Sequence, residues 1–506
     1  MHPKTLQILK TFEKINLIPR CSKYEGKLSI WLLEWSRSRG FEAKADSFNN
    51  VIIRVTPTKG YESSPTVILQ GHMDMICEKC PGSNHDFFRD PIKCVYDGDW
   101  LRGDGTSLGA DNGIALAIGL VLAETGKKGE IEHPPLELLF TVDEETGFTG
   151  VRGLETGFCE GKLLLNLDSE DEGVFIAGCA GGQNLLITLP VEWEKFDCGK
   201  GDLFGFFQIS VEGLTGGHSG VEIHRKRANG ILLLTRALVR LRDRIGAESI
   251  RLVQLSGGSV HNSIPNFAEA FVAIDRRKTT EAAEIISSLW KTFQTEYVKT
   301  DTNLVLSLKE VDDKTDLKNI GFMVLKKKIT WGRVLSSGTE ERLITLLQEL
   351  PHGVYRMSNN IPGLVETSNN LAVVRTTEHE IKVILSQRSS IASNLAEITW
   401  DVEALAKLVG AWLEYEKFYP AWEPDLESGL LSNCRQIYTG TFGKEPKVTV
   451  VHAGLECGII GSKFRDMEMI SFGPTIKDPH SPAERIFIPS IEKVWIFLEN
   501  LLKSYR

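Results

Sequence analysis

Short apolar runs and amphipathic stretches alternate along the first third of the chain. Residues 51–55, 66–69, 136–142 and 162–167 form the apolar runs, each of strand length. Residues 114–124 are small and apolar, and they predict a helix between the second and third of these runs. Residues 1–45 are expected to be largely helical and to stop at the basic, glycine-ended segment 36–40. Strands that alternate with helices are typical of an α/β layer architecture.

From about residue 186 the pattern changes to the alternation of half-exposed strands. Segments 206–212 and 268–274 predict such strands, with a leucine-rich helix at 228–244 between them. A second round follows, with strands at 304–309, 371–375 and 381–386 and a helix at 340–350. We therefore predict an inserted α+β domain at 186–394, built of two tandem β-α-β-β modules at about 186–300 and 301–394.

The first pattern returns near residue 395. Residues 396–415 are expected to be helical, 469–474 form an apolar run, and about 489–503 form an amphipathic helix. The chain as a whole therefore predicts an α/β domain with a mixed sheet flanked by helices. That domain would comprise residues 1–185 and 395–506, interrupted by the inserted domain.

Composition and charge fit a globular protein of more than one domain. The chain has 506 residues, of which 42% are hydrophobic and 25% charged, and its net charge is −9. This negative balance argues against a nucleic acid or an anionic membrane as partner. No apolar run approaches the roughly 20 residues that span a bilayer. The N-terminus also lacks the apolar core of a signal peptide.

The nine cysteines are odd in number and scattered along the chain. We therefore expect reduced thiols in a cytoplasmic protein. Cys77 and Cys80 form a lone CxxC pair, and no second Cys or His pair follows at zinc-ribbon spacing. A redox or structural-zinc role for this pair is therefore not favoured.

His72 and Asp74 come directly after the apolar run at 66–69 and the pair Gln70-Gly71. In an extended segment, residues two apart point to the same side. A metal-bound imidazole usually donates its other N–H to a carboxylate, a carbonyl or water. His72 as a metal ligand with Asp74 as its orienting partner is one hypothesis, and a polar surface loop is the other.

More acids and a second histidine follow other predicted strands and turns. Asp111 lies in a glycine-rich turn before a helix, Glu144 and Glu145 follow 136–142, Asp168 follows 162–167, and His480 follows 469–474. Each has a simpler explanation alone, since Asp is a favoured N-cap and acidic or histidine-bearing turns are common at surfaces. In open α/β sheets, however, ligand sites lie beyond the carboxyl ends of the strands. Convergence of four such ends is hard to attribute to chance.

This combination of side chains predicts a metal centre. Two imidazoles with several carboxylates suit zinc, cobalt or manganese. The surplus of carboxylates predicts two ions with one acid between them, an arrangement that activates water and stabilises a developing oxyanion. One of Glu144 and Glu145 would then remain free to act as a general base.

Eight motifs, in order along nearly the whole chain, carry a family resemblance. They are LQGHMDMICEK (69–79), SLGADNGIALA (107–117), TVDEETGFTG (141–150), NLDSEDEG (166–173), GGHSG (216–220), HNSIP (261–265), HAGLECG (452–458) and GP followed by HSPAER (473–485). The chain thereby resembles the co-catalytic zinc amidohydrolases, which include glutamate carboxypeptidase, aminoacylase and succinyl-diaminopimelate desuccinylase. Within them it is most similar to the dipeptidase branch that cleaves Xaa-His dipeptides.

The resemblance implies a role for each candidate. Asp111 would bridge two divalent ions, most commonly zinc in this family. His72 and Asp168 would complete one ion's ligands, and Glu145 and His480 the other's. Glu144 would be the general base and Asp74 the orienter of His72. A cis peptide at Asp111–Asn112 is also expected.

The inserted domain resembles the family's lid. His218 would donate to the tetrahedral oxyanion, unless it is an ordinary core histidine of the lid. Asn262 and Arg388 would hold the substrate's terminal carboxylate, as Arg does in bidentate pairs, although Arg388 could also be a surface residue at a strand end. Glu456 would help to receive the substrate's free amine.

The resemblance implies a cytoplasmic metallo-dipeptidase for unblocked dipeptides such as carnosine, other Xaa-His and Cys-Gly, with cobalt or manganese as alternative metals. Two other functions stay open. One is deacylation of N-acyl amino acids on the same scaffold, and the other is metal binding without catalysis. The doubled lid module leaves both a monomer and a homodimer possible.

Overall fold

The computed structural model describes residues 2–196, 203–311 and 333–506. Its contacts form two compact units. The terminal unit comprises Met1–Cys179 and Trp422–Arg506, and the inserted unit comprises Ala180–Ala421. Among the described residues, no helix is both long enough and apolar enough to cross a membrane.

In its described residues, the terminal unit contains an eight-stranded mixed sheet. Its strands, in spatial order, are Glu42–Ala45, Val51–Val55, Leu136–Thr141, Val67–His72, Leu163–Asn166, Glu468–Ser471, Val174–Cys179 and Lys447–Val451. A smaller sheet joins Ile476–Lys477, Arg485–Phe487, Trp100–Gly103 and Cys94–Asp97. The mixed α/β class predicted from the sequence is confirmed.

Helices cover the large sheet and fill the core of the terminal unit. They are Pro3–Asn16, Gly26–Ser38, Ala110–Lys127, Thr149–Gly153, Gly429–Phe442, Glu456–Lys463 and Ile488–Lys503. Ala110–Lys127 is buried along most of its length because its side chains are small and apolar. Residues 1–45 are less helical than expected, since Glu42–Ala45 is an edge strand paired with Val51–Val55.

The central strands of this sheet are parallel, and this places several predicted site residues at one edge. Val67–His72 lies between Leu136–Thr141 and Leu163–Asn166 and runs parallel to both. His72 pairs in register with Thr141. The residues that follow all three strands therefore emerge at the same edge of the sheet.

The inserted unit is built on a nine-stranded antiparallel sheet, counted over its described residues. Its strands, in spatial order, are Val305–Glu310, Phe204–Glu212, Ala268–Asp275, Ile250–Gly257, Val365–Thr376, Glu380–Ser389, Gly181–Pro190 and Trp412–Tyr419, and Gly353–Met357 pairs with Val365–Thr376. Its α-helices are Gly230–Ile245, Thr279–Glu296, Ser337–Glu349 and Ala392–Leu408. Short pairs join Trp193–Lys195 to Arg333–Leu335 and Gly217–His218 to Ser263–Ile264.

The two halves of this sheet share one topology, but they are nested rather than in tandem. The first half follows the order strand, helix, strand, strand, helix, strand, and the second half follows the same order with one added strand, Gly353–Met357, after its first helix. The second half begins with Gly181–Pro190 and resumes only at Ser337–Glu349, after the whole first half. Ile250–Gly257 and Val365–Thr376 join the halves at the middle of the sheet.

Nesting also explains where the unit boundaries fall. The sequence placed them at 185 and 394, whereas the contacts place them after Cys179 and after Ala421. Trp412–Tyr419, whose first four residues were expected to end a helix, is instead an edge strand paired with Gly181–Pro190. Its mixture of aromatic and charged residues suits a half-exposed edge better than a helix face.

One disulfide contradicts the expectation of reduced thiols. Cys21 and Cys77 are bonded, with their Cα atoms 5.9 Å apart, because Cys21 lies in a bridge with Met75 beside the end of the His72 strand. Cys80, the other half of the CxxC pair, is a free and exposed thiol. Cys198 lies outside the described residues.

Candidate metal centre

The terminal unit brings five predicted ligands together at the edge of its large sheet. His72 ends a strand, Glu145 and Asp168 follow the two neighbouring strands, and Asp111 begins the helix Ala110–Lys127. His480 lies in the turn after the short strand Ile476–Lys477. Among the described residues, ligand atoms of His72, Asp111 and Glu145 all lie within 4.8 Å of one another.

Asp111 lies between the two imidazoles. Its Oδ1 is 3.0 Å from His72 Nε2, and its Oδ2 is 3.1 Å from His480 Nε2. The same two nitrogens also face an acid each, since His72 Nε2 is 3.4 Å from Asp168 Oδ1 and His480 Nε2 is 3.0 Å from Glu145 Oε2. The Asp111–Asn112 peptide is cis, as expected.

The donor set fits two divalent cations. Tetrahedral ligands at zinc–nitrogen and zinc–oxygen distances of about 2.0–2.1 Å stand about 3.3 Å from each other. The four nitrogen–oxygen distances around Asp111 lie close to that value. The nitrogen of each imidazole, an Asp111 oxygen and one further carboxylate oxygen are therefore spaced like ligands of one ion.

Charge at this edge is strongly unbalanced. Burial and the nearby Asp111 raise the pKa of Glu145 to about 7. Burial, with Asp111 and Asp168, raises the pKa of Glu170 to about 8. Burial alone would lower the pKa of His72, but the surrounding carboxylates, Asp168 foremost, raise it well above its usual value. Bound cations would relieve this crowding of acids.

Asp74 lies behind the centre and contacts more than His72. Its Oδ1 is 3.3 Å from His72 Nδ1, and its backbone carbonyl oxygen is 3.1 Å from the same nitrogen. Its carboxylate also accepts the backbone N–H groups of Glu144 and Glu145, at 3.0 and 3.2 Å, and the hydroxyl of Ser22 at 2.8 Å. Asp74 thus connects the His72 strand to the turn that carries the two glutamates.

Glu144 lies next to the ligands, in the turn after the strand Leu136–Thr141. Burial raises its pKa well above the usual value for a glutamate, and the nearby Asp168 and Glu145 add to the effect, against the opposing influence of His72. A carboxylate that readily takes up a proton suits a general base. The neighbouring Glu145 faces His480 instead.

Glu456 is fully buried within the terminal unit. Its Oε2 accepts hydrogen bonds from Gln70 Nε2 at 2.6 Å and from the Thr141 hydroxyl at 2.7 Å. Burial raises its pKa to about 8. No part of the side chain reaches the surface in this structure, so its role in receiving an amine stays a prediction.

His218 lies in the inserted unit, in the short strand Gly217–His218. Its Nδ1 accepts the backbone N–H groups of Gly220 and Val221 at 3.1 and 3.2 Å. A neutral imidazole with an accepting Nδ1 carries its proton on Nε2. His218 is thereby fixed as an Nε2–H donor, the form that an oxyanion requires.

Arg388 and Asn262 also lie in the inserted unit. Arg388 is 8% exposed, and its Nη1 donates to the Tyr419 hydroxyl at 2.8 Å. Among the described residues its buried Nε has no hydrogen-bond partner. Burial, with Lys417 and Arg388 nearby, lowers the pKa of His261, the neighbour of Asn262 in the chain. This part of the unit therefore concentrates positive charge.

The sequence interpretation missed several buried charged residues that contact the ligand-bearing turns, among them Glu484 and Arg20. Glu484 accepts backbone N–H groups of the Asp111 turn, and Arg20 donates to carbonyls next to His72. Glu484 could have been identified from the sequence, because it belongs to the HSPAER motif that also contains His480. Arg20 has no such signal in the sequence.

Known proteins that are similar to this chain include peptidases. The model of Peptidase family M20/M25/M40 matches residues 68–504. The chain is 36% identical over 495 residues to the cytosol non-specific dipeptidase of Escherichia coli (strain K12), covering 97% of this chain and 96% of the relative. The crystal structure of an aminoacylhistidine dipeptidase from Vibrio alginolyticus matches with a TM-score of 0.85 and 37% identity, over 98% of this chain and 96% of that one. A tripeptidase from Staphylococcus aureus, at a TM-score of 0.54 and 15% identity over 99% and 98% of the two chains, shares the fold.

Proposed function

The chain belongs to Peptidase family M20/M25/M40 and is a metallopeptidase of the dipeptidase type, and we propose that it cleaves unblocked dipeptides, above all Xaa-His. The observation that supports this most directly is the position of Asp111 between His72 and His480. A carboxylate flanked by two imidazoles, each with a further acid, is a donor set for two ions. The similarity to an aminoacylhistidine dipeptidase supports the Xaa-His preference, and Cys-Gly is a further proposed substrate.

We propose that Asp111 holds both ions, with His72 and Asp168 on one side and Glu145 and His480 on the other. When bound, such ions polarise a carbonyl and lower the pKa of water. Zinc suits these ligands best, and cobalt or manganese would also fit. The name of the Escherichia coli relative supports a cytoplasmic location.

Glu144 is the proposed general base. Its carboxylate takes a proton from the attacking water and returns it to the leaving nitrogen. The product therefore leaves as a neutral amine and not as an amide anion. Its raised pKa supports the proton-holding step. Asp74 keeps His72 and the Glu144 turn in register with each other.

Residues of the inserted unit are proposed to act on the substrate itself. The Nε2–H of His218 would donate to the oxyanion, an interaction commonly worth about 10²–10³ in rate. Arg388 and Asn262 would bind the terminal carboxylate, and the buried Arg388 Nε supports this. Truncation of Arg388 to alanine should therefore raise KM more than it lowers kcat.

A substrate panel with reconstituted metal tests the proposal. The chain, freed of metal with a chelator and reloaded with zinc, cobalt or manganese, should hydrolyse carnosine, other aminoacyl-histidines and Cys-Gly. Glu144→Gln should retain metal and lose about 10²- to 10⁴-fold in kcat, since it removes the base without changing the shape of the site. Turnover of N-acyl amino acids without turnover of unblocked dipeptides would establish the deacylase instead.

A further inference from the structure

The side chain of Glu484 contacts the start of the helix that carries Asp111. Its Oε2 accepts the backbone N–H groups of Leu108 and Gly109, at 2.7 and 2.9 Å. Its Oε1 accepts those of Ala110 and Asp111, at 2.7 and 3.2 Å. One carboxylate, 2% exposed, therefore satisfies four consecutive N–H groups.

Arg20 contacts the same turn from another direction. Its Nη2 donates to the Gly109 carbonyl at 2.6 Å, and its Nη1 donates to the carbonyls of Met73 and Asp74, at 3.0 and 3.2 Å. The guanidinium is 2% exposed. Arg20 thus joins the Asp111 turn to the segment that immediately follows His72.

The Arg20 guanidinium packs directly against the backbone of the Asp111 turn, at two glycines. Gly109 has a φ of +68°, and a Cβ placed on it would lie 2.4 Å from Arg20 Nη2. A Cβ on Gly113, one turn along the helix, would lie 2.6 Å from the same nitrogen. The backbone of residues 109–113 is therefore pressed against the guanidinium.

We propose that Glu484 and Arg20 form a clamp that positions Asp111 relative to His72 and His480. Glu484 lies four residues beyond His480, so its carboxylate ties the His480 loop to the Asp111 turn. Arg20 ties that turn to the His72 strand. Three of the five proposed ligands thereby belong to one hydrogen-bonded frame. The inference rests on the proposed metal site, and neither residue touches the ions or the substrate.

The clamp matters because Asp111 must place both of its oxygens at once. Each oxygen faces a different imidazole at 3.0–3.1 Å, so a small rotation of the turn moves both contacts. Glu484 also places a second carboxylate close to that of Asp111, and the buried Arg20 offsets this repulsion. Removal of Glu484 or Arg20 should therefore weaken metal binding while the chain stays folded.

Glu484→Gln is the decisive variant. Its shape is conserved, but an amide has one accepting oxygen, so two of the four N–H groups lose their acceptor. We expect affinity for Zn²⁺, titrated into the metal-free full-length chain, to fall about 10- to 100-fold. The visible spectrum of bound Co²⁺ should change, and kcat should fall with KM near wild type. Excess Zn²⁺ should restore part of the activity, which it cannot do for Glu144→Gln.

Glu137→Gln is the matched control. Glu137 is also a buried carboxylate, 2% exposed, and its Oε2 accepts the backbone N–H groups of Glu160 and Gly161 at 2.8 and 3.0 Å. It should resemble wild type in Zn²⁺ affinity and Co²⁺ spectrum, whatever it costs in stability. Equal losses in the two variants would show that any buried carboxylate matters and would overturn the clamp.

Wild-type affinity and an unchanged Co²⁺ spectrum in Glu484→Gln would also overturn it. If Glu484→Gln does not fold, Arg20→Lys takes its place, because a lysine keeps the charge but cannot span the three carbonyls. It should show the same loss of affinity, and unchanged affinity would again refute the clamp. A wild-type chain that binds metal but cleaves no dipeptide would contradict the proposed function alone, since the titrations still test the clamp.

Discussion

Asp74 illustrates how one carboxylate can serve several parts of a site. Its three kinds of contact, with an imidazole, two backbone N–H groups and a hydroxyl, are spread over the segments that carry His72, Glu144 and Ser22. Asp74→Ala should therefore lower both metal affinity and kcat/KM by about 10- to 100-fold. Metal titration together with steady-state kinetics measures both.

Ser22→Ala is the control for Asp74, since it removes one hydrogen bond from the same carboxylate and leaves the others. It should cost no more than about a few-fold, the worth of one hydrogen bond of about 1 kcal/mol. Wild-type metal affinity and turnover in Asp74→Ala would refute the orienting role.

His352 gives the inserted unit a pH-dependent stability. Burial lowers its pKa from 6.5 to about 4, and its Nδ1 accepts the backbone N–H of Leu371 at 3.3 Å. Because the folded pKa is depressed, the unfolded chain binds the proton first as pH falls. Stability is therefore fully present above pH 6.5 and is lost between about pH 6.5 and 4, by up to about 3 kcal/mol.

His352→Asn tests this, because its amide oxygen can replace Nδ1 as acceptor but does not titrate. The free energy of unfolding of the variant, relative to wild type, should rise as pH falls through that window. His224→Gln, which alters an exposed histidine of the same unit, is the control. A difference between wild type and His352→Asn that does not change with pH would contradict the assignment.

At the scale of elements, the candidate site was more predictable than the frame around it. His72, Glu145 and Asp168 lie at or just after the ends of apolar strands, and parallel strands bring their carboxyl ends to one edge of the sheet. Their positions in the sequence therefore predicted that they lie together. Glu484 and the Asp111 turn are more than 370 residues apart. The pattern of apolar and polar residues does not distinguish a buried carboxylate of this kind from a surface one, although Glu484 belongs to the same motif as His480.

The Cys21–Cys77 disulfide joins the segment before helix Gly26–Ser38 to the segment after the His72 strand. The two cysteines are 56 residues apart in the sequence. A crosslink that closes a loop of this length reduces the entropy of the unfolded chain and thereby stabilises the folded state by about 4 kcal/mol. Cys21→Ser should therefore lower the free energy of unfolding of the terminal unit by up to that amount. Denaturant unfolding without reductant measures the change.

Reductant should bring wild type to the level of Cys21→Ser and leave the variant unchanged. Cys80→Ser, which alters a free and exposed thiol, should match wild type in both conditions. If reductant has no effect on wild type, the two cysteines do not form a stabilising crosslink in solution.

At the scale of the whole molecule, the nested sheet marks the limit of what the sequence could predict. Periodicity predicted two tandem β-α-β-β modules, the second opening with a strand at 304–309, but Val305–Glu310 pairs with Phe204–Glu212 in the first half. The first strand of the second half, Gly181–Pro190, precedes the first half in the chain. Its pairing with Glu380–Ser389 is a contact across about 200 residues, which local patterns do not encode.

Removal of metal should destabilise one unit and leave the other unchanged. All five proposed ligands lie in the terminal unit, where Glu145 and Glu170 crowd together with other buried acids. A ligand that binds only the folded state at 100 times its Kd contributes about 2.7 kcal/mol. Calorimetry of the full chain at fixed pH, with Zn²⁺ and with a chelator, should therefore show the terminal unit's transition moving to lower temperature.

The His352→Asn variant identifies which transition belongs to the inserted unit, because its change with pH is confined there. That transition should stay in place when the chelator is added, since none of the proposed ligands lies in the inserted unit. Addition of Zn²⁺ to the chelated chain should restore the other transition, and Asp111→Asn, which weakens the acid between the two imidazoles, should reduce the shift. If the inserted unit's transition moves as far as the other, metal binding stabilises both units, and the prediction of an effect confined to the terminal unit is wrong.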